Sequence, residues 1–245
     1  MTNILVTGAK GRMGQAIIQA VEENDQAQLG NTHSRSESIT EKLQDCDVTI
    51  DFSVHGFTEE MLKASLESNK PLVLGTTGHT DEQRAAITDA AKTLPIVFAP
   101  NFSVGVNTLF YLTRKAAAIL GNETFDIEVT EMHHRHKIDS PSGTARRLLE
   151  ILNEETNTSY QDDVDHGRFG NIGPREKGRI GMHTLRGGDV VGDHNIIFAA
   201  EGERFEIGHK ASSRMTFAVG SVRAALWLMD KPAGLYDMQD VLGLK

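Results

Sequence analysis

The chain has 245 residues, of which 39% are hydrophobic and 24% charged, a length that suffices for one large domain or two smaller ones. Its formal net charge of −9 repels nucleic-acid backbones, and it has no apolar run of about eighteen residues to span a bilayer, so neither nucleic-acid binding nor a membrane role is expected. No secretory signal is recognisable, and a single cysteine, Cys46, excludes an internal disulfide and suits a reducing cytoplasm.

Short β-rich runs alternate with helical segments in the first part of the chain. We predict strands at 3–7, 28–33, 47–52, 72–74 and 96–99, and helices at 11–23, 59–68 and 81–92. Strands that alternate with helices in this way indicate repeated βαβ units and a parallel sheet. The sequence therefore predicts an α/β domain.

The pattern changes after Asn101. We predict helices at 104–120 and 142–155, a strand at 125–133, and a long mobile loop at 156–177. Antiparallel strands are predicted at 179–186, 190–199 and 204–210, joined by turns at 187–189 and 201–203. This part predicts a second, α+β domain, and the amphipathic helix expected after Phe217 could by pattern join either one.

A glycine-rich segment directly follows the first predicted strand and opens the first predicted helix. It reads Gly8, Ala9, Lys10, Gly11, Arg12, Met13, Gly14. Glycines allow a tight turn and a close approach of a pyrophosphate to the helix N-terminus, where Arg12 would face the phosphates. The spacing is GxxGxxG rather than GxGxxG, so an ordinary βα turn is the alternative to a dinucleotide site.

Three further segments fall at the ends of predicted strands, where cofactor contacts are expected. Ser34 and Arg35 stand where an NAD-selective site usually carries an acid, and they suit a 2′-phosphate, which favours NADPH over NADH. The other two segments are Gly75, Thr76 and Thr77, and Ala99, Pro100, Asn101 and Phe102. Each of these loops could also be an ordinary connection.

The segment from Glu131 to Ala145 concentrates histidines and cations beside a predicted helix start. A histidine that titrates near neutral pH, such as His133, could protonate a carbanion, while free amides at Gly143 and Thr144 hold a carboxylate. Lys137 could neutralise a second carboxylate or activate an imine nitrogen. Packing histidines and a metal site are the alternatives, although the neighbouring cations oppose a metal ion, and we predict none.

The motif ExHHxxKxDxPSGTA at Glu131–Ala145 resembles the signature of the 4-hydroxy-tetrahydrodipicolinate (dihydrodipicolinate) reductase family. Four other motifs match the same family in the same order: GxxGRMG at 8–14, IDF at 50–52, GTTG at 75–78 and APNF at 99–102. The resemblance thus spans almost the whole chain. It implies NAD(P)H-dependent reduction of a dicarboxylated heterocycle in diaminopimelate and lysine biosynthesis.

The resemblance also implies a fold and residue roles. We expect an N-terminal Rossmann-like parallel-sheet domain, 1–104 plus 214–245, that binds the dinucleotide, and a mixed-sheet domain, 105–213, that binds substrate and builds a homotetramer. His133 resembles the acid and base, and Lys137 the second catalytic donor. The substrate carboxylate contacts implied are His134, Lys137, Gly143 and Thr144. The cofactor contacts implied are Gly8 to Met13, Gly75 to Thr77 and Ala99 to Phe102.

Two functions of other classes remain as alternatives. A non-catalytic NADPH-binding sensor could use the same fold, since fold alone does not define activity. A metal-dependent hydrolase could use the histidines.

Overall fold

The computed structural model describes residues 1–35 and 37–245, and the chain divides into one unit of residues 1–104 with 214–245 and a second unit of residues 105–213. The first stretch contains β1 (Thr2–Thr7), α1 (Arg12–Glu22), β2 (Ala27–His33), α2 (Ile39–Leu43), β3 (Val48–Asp51), a 3-10 turn (His55–Phe57), α3 (Thr58–Ser68), β4 (Leu72–Leu74), α4 (Asp81–Ala90) and β5 (Pro95–Phe98). Next come α5 (Val104–Leu120), β6 (Asp126–His133), α6 (Gly143–Thr156), β7 (Val164–His166), β8 (Ile180–Arg186), β9 (Gly192–Ala200) and β10 (Glu203–Ala211). The chain then forms α7 (Met215–Leu228), β11 (Gly234–Tyr236) and α8 (Met238–Leu242).

The first unit is built on a six-stranded parallel sheet in the order β11-β5-β4-β3-β1-β2. Its central strands β3 and β4 are buried along their length, as expected when helices cover both faces. On one face, α1, α7 and α8 bury residues such as Ile17 and Val222. On the other face, α2, α3 and α4 bury Leu43, Met61 and Ile87. This is the Rossmann-like arrangement that the sequence predicts.

The second unit is built on a five-stranded mixed sheet in the order β10-β9-β6-β8-β7. Alternate residues of β6 are buried, so one face of this strand packs on a core and the other does not. Helices α5 and α6 cover the buried face, where Leu109 and Leu148 meet Ile127 and Phe198. The predicted α+β mixed-sheet fold is therefore confirmed.

The strand pairing differs from the prediction at one point. Strands β8 and β9 were expected to form an antiparallel hairpin across the turn at 187–189, and this is wrong, because β6 lies between them. Strand β8 runs parallel to β6, while β9 runs antiparallel to it. The connection passes over the end of β6, where the Gly187 amide donates to the His133 carbonyl (2.9 Å) and the His134 amide to the Val190 carbonyl (2.7 Å). The turn-forming residues therefore serve a crossover rather than a hairpin.

The long loop predicted at 156–177 is also partly wrong. It contains strand β7, and its later part is fixed to β6 by ionic contacts. The Arg175 guanidinium donates to Glu128 Oε1 (2.9 Å), Asp126 Oδ1 (2.9 Å) and the Ile127 carbonyl (3.0 Å). Arg168 donates to both oxygens of Glu128 (2.8 and 2.9 Å). The polar composition of this segment predicts a mobile loop. It reveals neither the three-residue strand nor the acceptors on β6, which are distant in sequence.

Two features of the first unit lay beyond the predicted elements. Strand β11 extends the sheet by pairing with β5, and the short helix α2 follows β2. Among the described residues, no helix combines the length and the hydropathy required to cross a bilayer.

Candidate active site

A cavity of about 820 Å³ opens at the carboxyl ends of β1, β2 and β3 in the first unit. The chain passes from β1 to β2 on one side of the sheet and returns to β3 on the other, so this is the point where a doubly wound sheet binds its ligands. Its lining includes Gly8, Ala9, Lys10, Gly11, His33, Ser34, Arg35, Phe52, Ser53 and Val54. Six of the predicted cofactor residues are therefore brought together: Gly8 to Gly11, Ser34 and Arg35.

The glycine positions are required by close backbone approaches. Gly8 has φ +64°, and a Cβ there would lie 2.6 Å from the Phe52 carbonyl oxygen. A Cβ on Gly14 would overlap the carbonyl oxygen of Gly8. Gly11 is the N-cap of α1 and lines the cavity, and no described side chain caps that helix, so its first amides have no side-chain acceptor.

A buried carboxylate joins three of the loops at this edge. Asp51, at the end of β3, accepts hydrogen bonds from the hydroxyls of Thr7, Ser53 (2.6 Å) and Thr76 (2.6 Å). Thr76 Oγ1 in turn accepts from the Ser53 amide (3.0 Å). These hydrogen bonds connect the carboxyl ends of β1, β3 and β4, and the Thr76 side chain is part of this network.

The other predicted cofactor residues occupy varied settings. Met13 packs against the core below α1, and Arg12 is exposed. Phe102 is 1% exposed and lies in the same core, edge-on to Phe52 with ring centroids 5.4 Å apart, so its ring belongs to the packing of this core. Thr77 and Pro100 are exposed.

Ser34 has an acidic neighbour that sequence reasoning did not consider. Its amide and hydroxyl both donate to Glu37 Oε2, at 2.8 and 2.9 Å. Hydrogen bonds from Lys42 and Ser34 lower the pKa of Glu37 to about 2. The Glu37 carboxylate therefore lies beside Ser34, the position at which an NAD-selective site usually carries an acidic residue.

A second cluster of polar side chains lies at the carboxyl end of β6 in the other unit. Glu131 (1% exposed) and His133 (8% exposed) are two residues apart and so share the buried face of this strand. Strand β6 ends at His133, and His134 follows outside the strand. The side chains of His133 and His134 therefore do not have to point to opposite faces of the sheet, as two adjacent residues within a strand would.

The Glu131 carboxylate is fully engaged. It accepts from His133 Nδ1 (2.5 Å), from the amide of Ser142 (3.1 Å) and from both terminal nitrogens of Arg186 (3.0 Å each). Burial alone would raise the pKa of Glu131, but the hydrogen bonds from His133, Arg186 and Ser142 outweigh it and lower the pKa to about 2. The carboxylate is therefore ionised at neutral pH, buried beside the His133 ring.

His194, on β9, completes the cluster. Its ring lies 5.2 Å from the His133 ring, and its Nε2 is 3.1 Å from the Ser142 hydroxyl. Burial, followed by the repulsion of a charged His133, lowers the pKa of His194 to about 4. His194 is therefore neutral at physiological pH and serves as a polar wall of the site.

The remaining predicted substrate residues lie on the turn after β6 and at the start of α6. Lys137 Nζ pairs with Asp139 Oδ1 (2.9 Å), and Arg186 donates to the Asp139 carbonyl (2.6 Å). Ser142 is the N-cap of α6 and accepts from the Ala145 amide (3.1 Å), which makes Gly143 and Thr144 the first helical residues. Among the described residues, no group of three or more histidine, cysteine or acidic side chains has the geometry to hold a metal ion.

Family models match both parts of the chain. The model described as "Dihydrodipicolinate reductase, N-terminus" covers residues 2–102, and that described as "Dihydrodipicolinate reductase, C-terminus" covers residues 105–242. The chain belongs to the dihydrodipicolinate reductase family. It is 61% identical to the 4-hydroxy-tetrahydrodipicolinate reductase of Akkermansia muciniphila, over 100% of this chain and 99% of that protein. It is 45% identical to the protein of the same name from Hahella chejuensis, over the full length of both.

Solved structures share the fold of this reductase-family chain. A dipicolinate-bound dihydrodipicolinate reductase from Paenisporosarcina sp. TG-14 superimposes with a TM-score of 0.79 at 24% identity, over 98% of each chain. A diaminopimelate dehydrogenase from C. glutamicum superimposes with a TM-score of 0.56 at 13% identity, covering 97% of this chain and 93% of the other. Both likenesses support the fold.

The dihydrodipicolinate reductase family uses NAD(P)H, and the cavity of the first unit fits this cofactor. The space is within the usual range of about 300–1,000 Å³ for a ligand site. The missing Cβ atoms at Gly8 and Gly14 allow the turn between β1 and α1 to pack closely on neighbouring backbone, and Gly8 to Gly11 line the cavity next to the N-terminus of α1, an end of a helix that favours a pyrophosphate. Lys10 and Arg35 supply positive charge in the same lining.

Three residues of the second cluster were missed from the sequence, namely Glu131 as a partner of His133, and Arg186 and His194. The alternation of β6 carried a signal for Glu131, since residues two apart on a strand share a face. Arg186 carried none, because its pairing with Glu131 spans 55 residues.

Proposed function

We propose that this chain reduces 4-hydroxy-tetrahydrodipicolinate to tetrahydrodipicolinate with NAD(P)H, as a step of diaminopimelate and lysine biosynthesis. One hydride and one proton are added and one water is lost. The observation that carries this proposal is the match of both parts of the chain to the reductase family, together with full-length identity of 61% to a protein of that name.

The proposed chemistry assigns a role to each polar group of the second unit. The bound nicotinamide supplies the hydride. His133 donates the proton from its ring, and Lys137 is the second catalytic donor. His134, Lys137, Gly143 and Thr144 hold the substrate carboxylates. The position of Gly143 and Thr144 in the first turn of α6 supports the last role, because helix N-termini favour anions.

We further propose that NADPH is preferred and NADH is accepted. Lys10 and Arg35 in the lining of the cavity support an attraction for a 2′-phosphate. Glu37 opposes it, but Lys42 pairs with Glu37 at 3.0 Å and offsets its charge. Arg35→Ala is expected to raise the KM for NADPH while leaving the KM for NADH nearly unchanged.

We also propose that residues 105–213 build a homotetramer, by resemblance to the family, and that the protein works in the cytoplasm, which its single cysteine suits. Light scattering behind a sizing column tests the assembly, with a monomer mass near 26.8 kDa as the unit. A mass other than four monomers would contradict it.

The reaction is tested by generating the substrate from pyruvate and aspartate semialdehyde with the preceding enzyme, and then following NADPH and NADH absorbance in separate assays. Substrate-dependent loss of either absorbance supports the proposal. Cofactor binding without any oxidation would favour the non-catalytic sensor instead.

His133→Gln tests the proton donor. The variant is expected to lose about 10²–10⁴-fold in turnover, the usual contribution of a general acid, with unchanged cofactor affinity. His166→Gln, an exposed histidine of the same unit, is the control. Near wild-type turnover of His133→Gln would remove His133 from this role.

A further inference from the structure

The donors to Glu131 come from three separate parts of the second unit. His133 lies on the same strand, Arg186 at the end of β8, and Ser142 at the start of α6. An ionised carboxylate accepts at about four lone-pair positions, and here each oxygen receives two hydrogen bonds. The carboxylate is therefore fixed in position before any substrate arrives.

The fixed carboxylate determines the orientation of the His133 ring. An ionised carboxylate only accepts hydrogen bonds, so the hydrogen between the two groups belongs to Nδ1 of His133. The opposite nitrogen, Nε2, lies against Gly192, where an added Cβ would be 2.9 Å away. Gly192 thus leaves room for the Nε2 edge of the ring.

We propose that Glu131, clamped by Arg186, is a positioning residue that keeps a hydrogen on Nδ1 of His133 and makes Nε2 the atom that releases the proton. In that step the Nε2–H bond breaks, its electron pair stays on Nε2, and the substrate carbon uses its own electron pair to form the C–H bond. The ring ends neutral, with its hydrogen on Nδ1. The assignment of the substrate carbon as proton acceptor rests on the proposed function. The position of the hydrogen on Nδ1 of His133 does not depend on it.

The charged and titratable groups around the pair of His133 and His194 come from several segments. Glu131 on β6 and His194 on β9 face the His133 ring, Arg186 on β8 pairs with Glu131, His209 on β10 and Lys137 act on His194, and Asp139 pairs with Lys137. Arg186 and Lys137 are each paired with a carboxylate. Of these groups, Glu131 is the one hydrogen-bonded to the His133 ring.

The tautomer is measured on the wild-type protein with histidine labelled with ¹⁵N, and His133→Gln identifies the signals of His133. The proposal expects the neutral ring to carry its hydrogen on Nδ1. A neutral His133 ring with its hydrogen mainly on Nε2 would overturn the proposal. This measurement needs no substrate and no variant of Glu131.

Glu131→Gln then tests the coupling. Its carboxamide cannot accept from all four donors, so the hydrogen of His133 is expected to move to Nε2, and kcat to fall about 10- to 100-fold, less than the loss of the acid itself. The pH profile of kcat should also differ from that of the wild type, because Nδ1 of the ring then faces a carboxamide instead of an ionised carboxylate. An unchanged tautomer and pH profile would overturn the proposal.

Glu128→Gln is the matched control. Glu128 lies on the other face of β6 and also pairs with arginines and a histidine, namely Arg168, Arg175 and His183. This variant is expected to keep the wild-type tautomer of His133 and the wild-type pH profile. If the wild-type ring carries its hydrogen on Nδ1 but no turnover occurs with the ring substrate, the proposed reaction fails while the positioning role of Glu131 stands.

Discussion

Acidification should destabilise the second unit through His194 before the carboxylates are protonated. The pKa of His194 is about 4 in the folded protein, against an ordinary value of 6.5. As pH falls below 6.5 the unfolded chain binds a proton that the folded chain does not, so stability is complete above pH 6.5 and declines toward pH 4. At about 1.4 kcal/mol per pKa unit, the loss between pH 7 and pH 4.5 is about 2–3 kcal/mol.

His194→Gln removes the pH-dependent contribution of His194 to stability, because glutamine does not titrate. The glutamine side chain is long enough to keep a hydrogen bond to the Ser142 hydroxyl. The free energy of unfolding is measured by urea denaturation at fixed protein concentration, at several pH values from 7 to 4.5. The variant is expected to be less stable at pH 7 but to lose about 2–3 kcal/mol less on acidification than the wild type. His79 and His209, whose pKa values burial also lowers, are present in both proteins and cancel in the comparison.

The exposed His166 provides the control, since His166→Gln should follow the wild-type pH dependence. Parallel curves for the wild type and His194→Gln would refute the reasoning. Titration of the His194 ring near its ordinary pKa, followed by proton NMR of the folded protein, would refute it directly. Glu131 does not confuse the result, because its pKa of about 2 places its contribution below this range, lost as pH falls from about 4.5.

Three further predictions concern the backbone and the ionic contacts. Asp51→Ala leaves the Thr7, Ser53 and Thr76 hydroxyls without their acceptor and should cost about 3 kcal/mol or more in urea unfolding, since each buried group left unpaired costs about 1–3 kcal/mol; a loss below 1 kcal/mol would contradict this. Gly14→Ala places a Cβ against the Gly8 carbonyl and should weaken NADPH binding at least about 10-fold by fluorescence titration, and binding as tight as that of the wild type would contradict this. Arg175→Ala removes the contacts to Asp126, Glu128 and Ile127 and should speed limited proteolysis within 167–178, and equal cleavage of Arg175→Ala and Lys177→Ala would count against that anchor.

Much of the fold was predictable because local patterns specify it. The predicted bounds of α5 and β4 match the structure, and β1, β3 and β8 differ by one or two residues at their ends. These elements carry continuous or periodic apolar residues, which report burial directly. Strand β4 is as short as β7 and β11, but its three residues are all apolar and buried. Strands β7 and β11 have no such apolar run, and they form by pairing with the edges of β8 and β5.

Pairing and side-chain contacts were less accessible. The glycines at 187 and 188 resemble a hairpin turn, and nothing local reveals that β6 inserts between the strands on either side. The same holds for the candidate site: His133 and Lys137 were suggested by residue type and resemblance, but Arg186 and His194 reach this cluster across 55 and 52 residues. Long-range pairing of this kind depends on topology rather than on local sequence.

Because the first unit is discontinuous in sequence, it can be completed only after the whole second unit has been synthesised. Helix α7, strand β11 and helix α8 cover the same core as α1, and β11 closes the edge at β5. When residues 1–213 have been synthesised and residues 214–245 have not, apolar residues of this core, such as Ile17 on α1 and Val97 on β5, lack the cover that α7 and α8 provide. A nascent or truncated chain that lacks residues 214–245 therefore exposes apolar surface on one face of the parallel sheet. Such a surface is bound by chaperones and promotes aggregation.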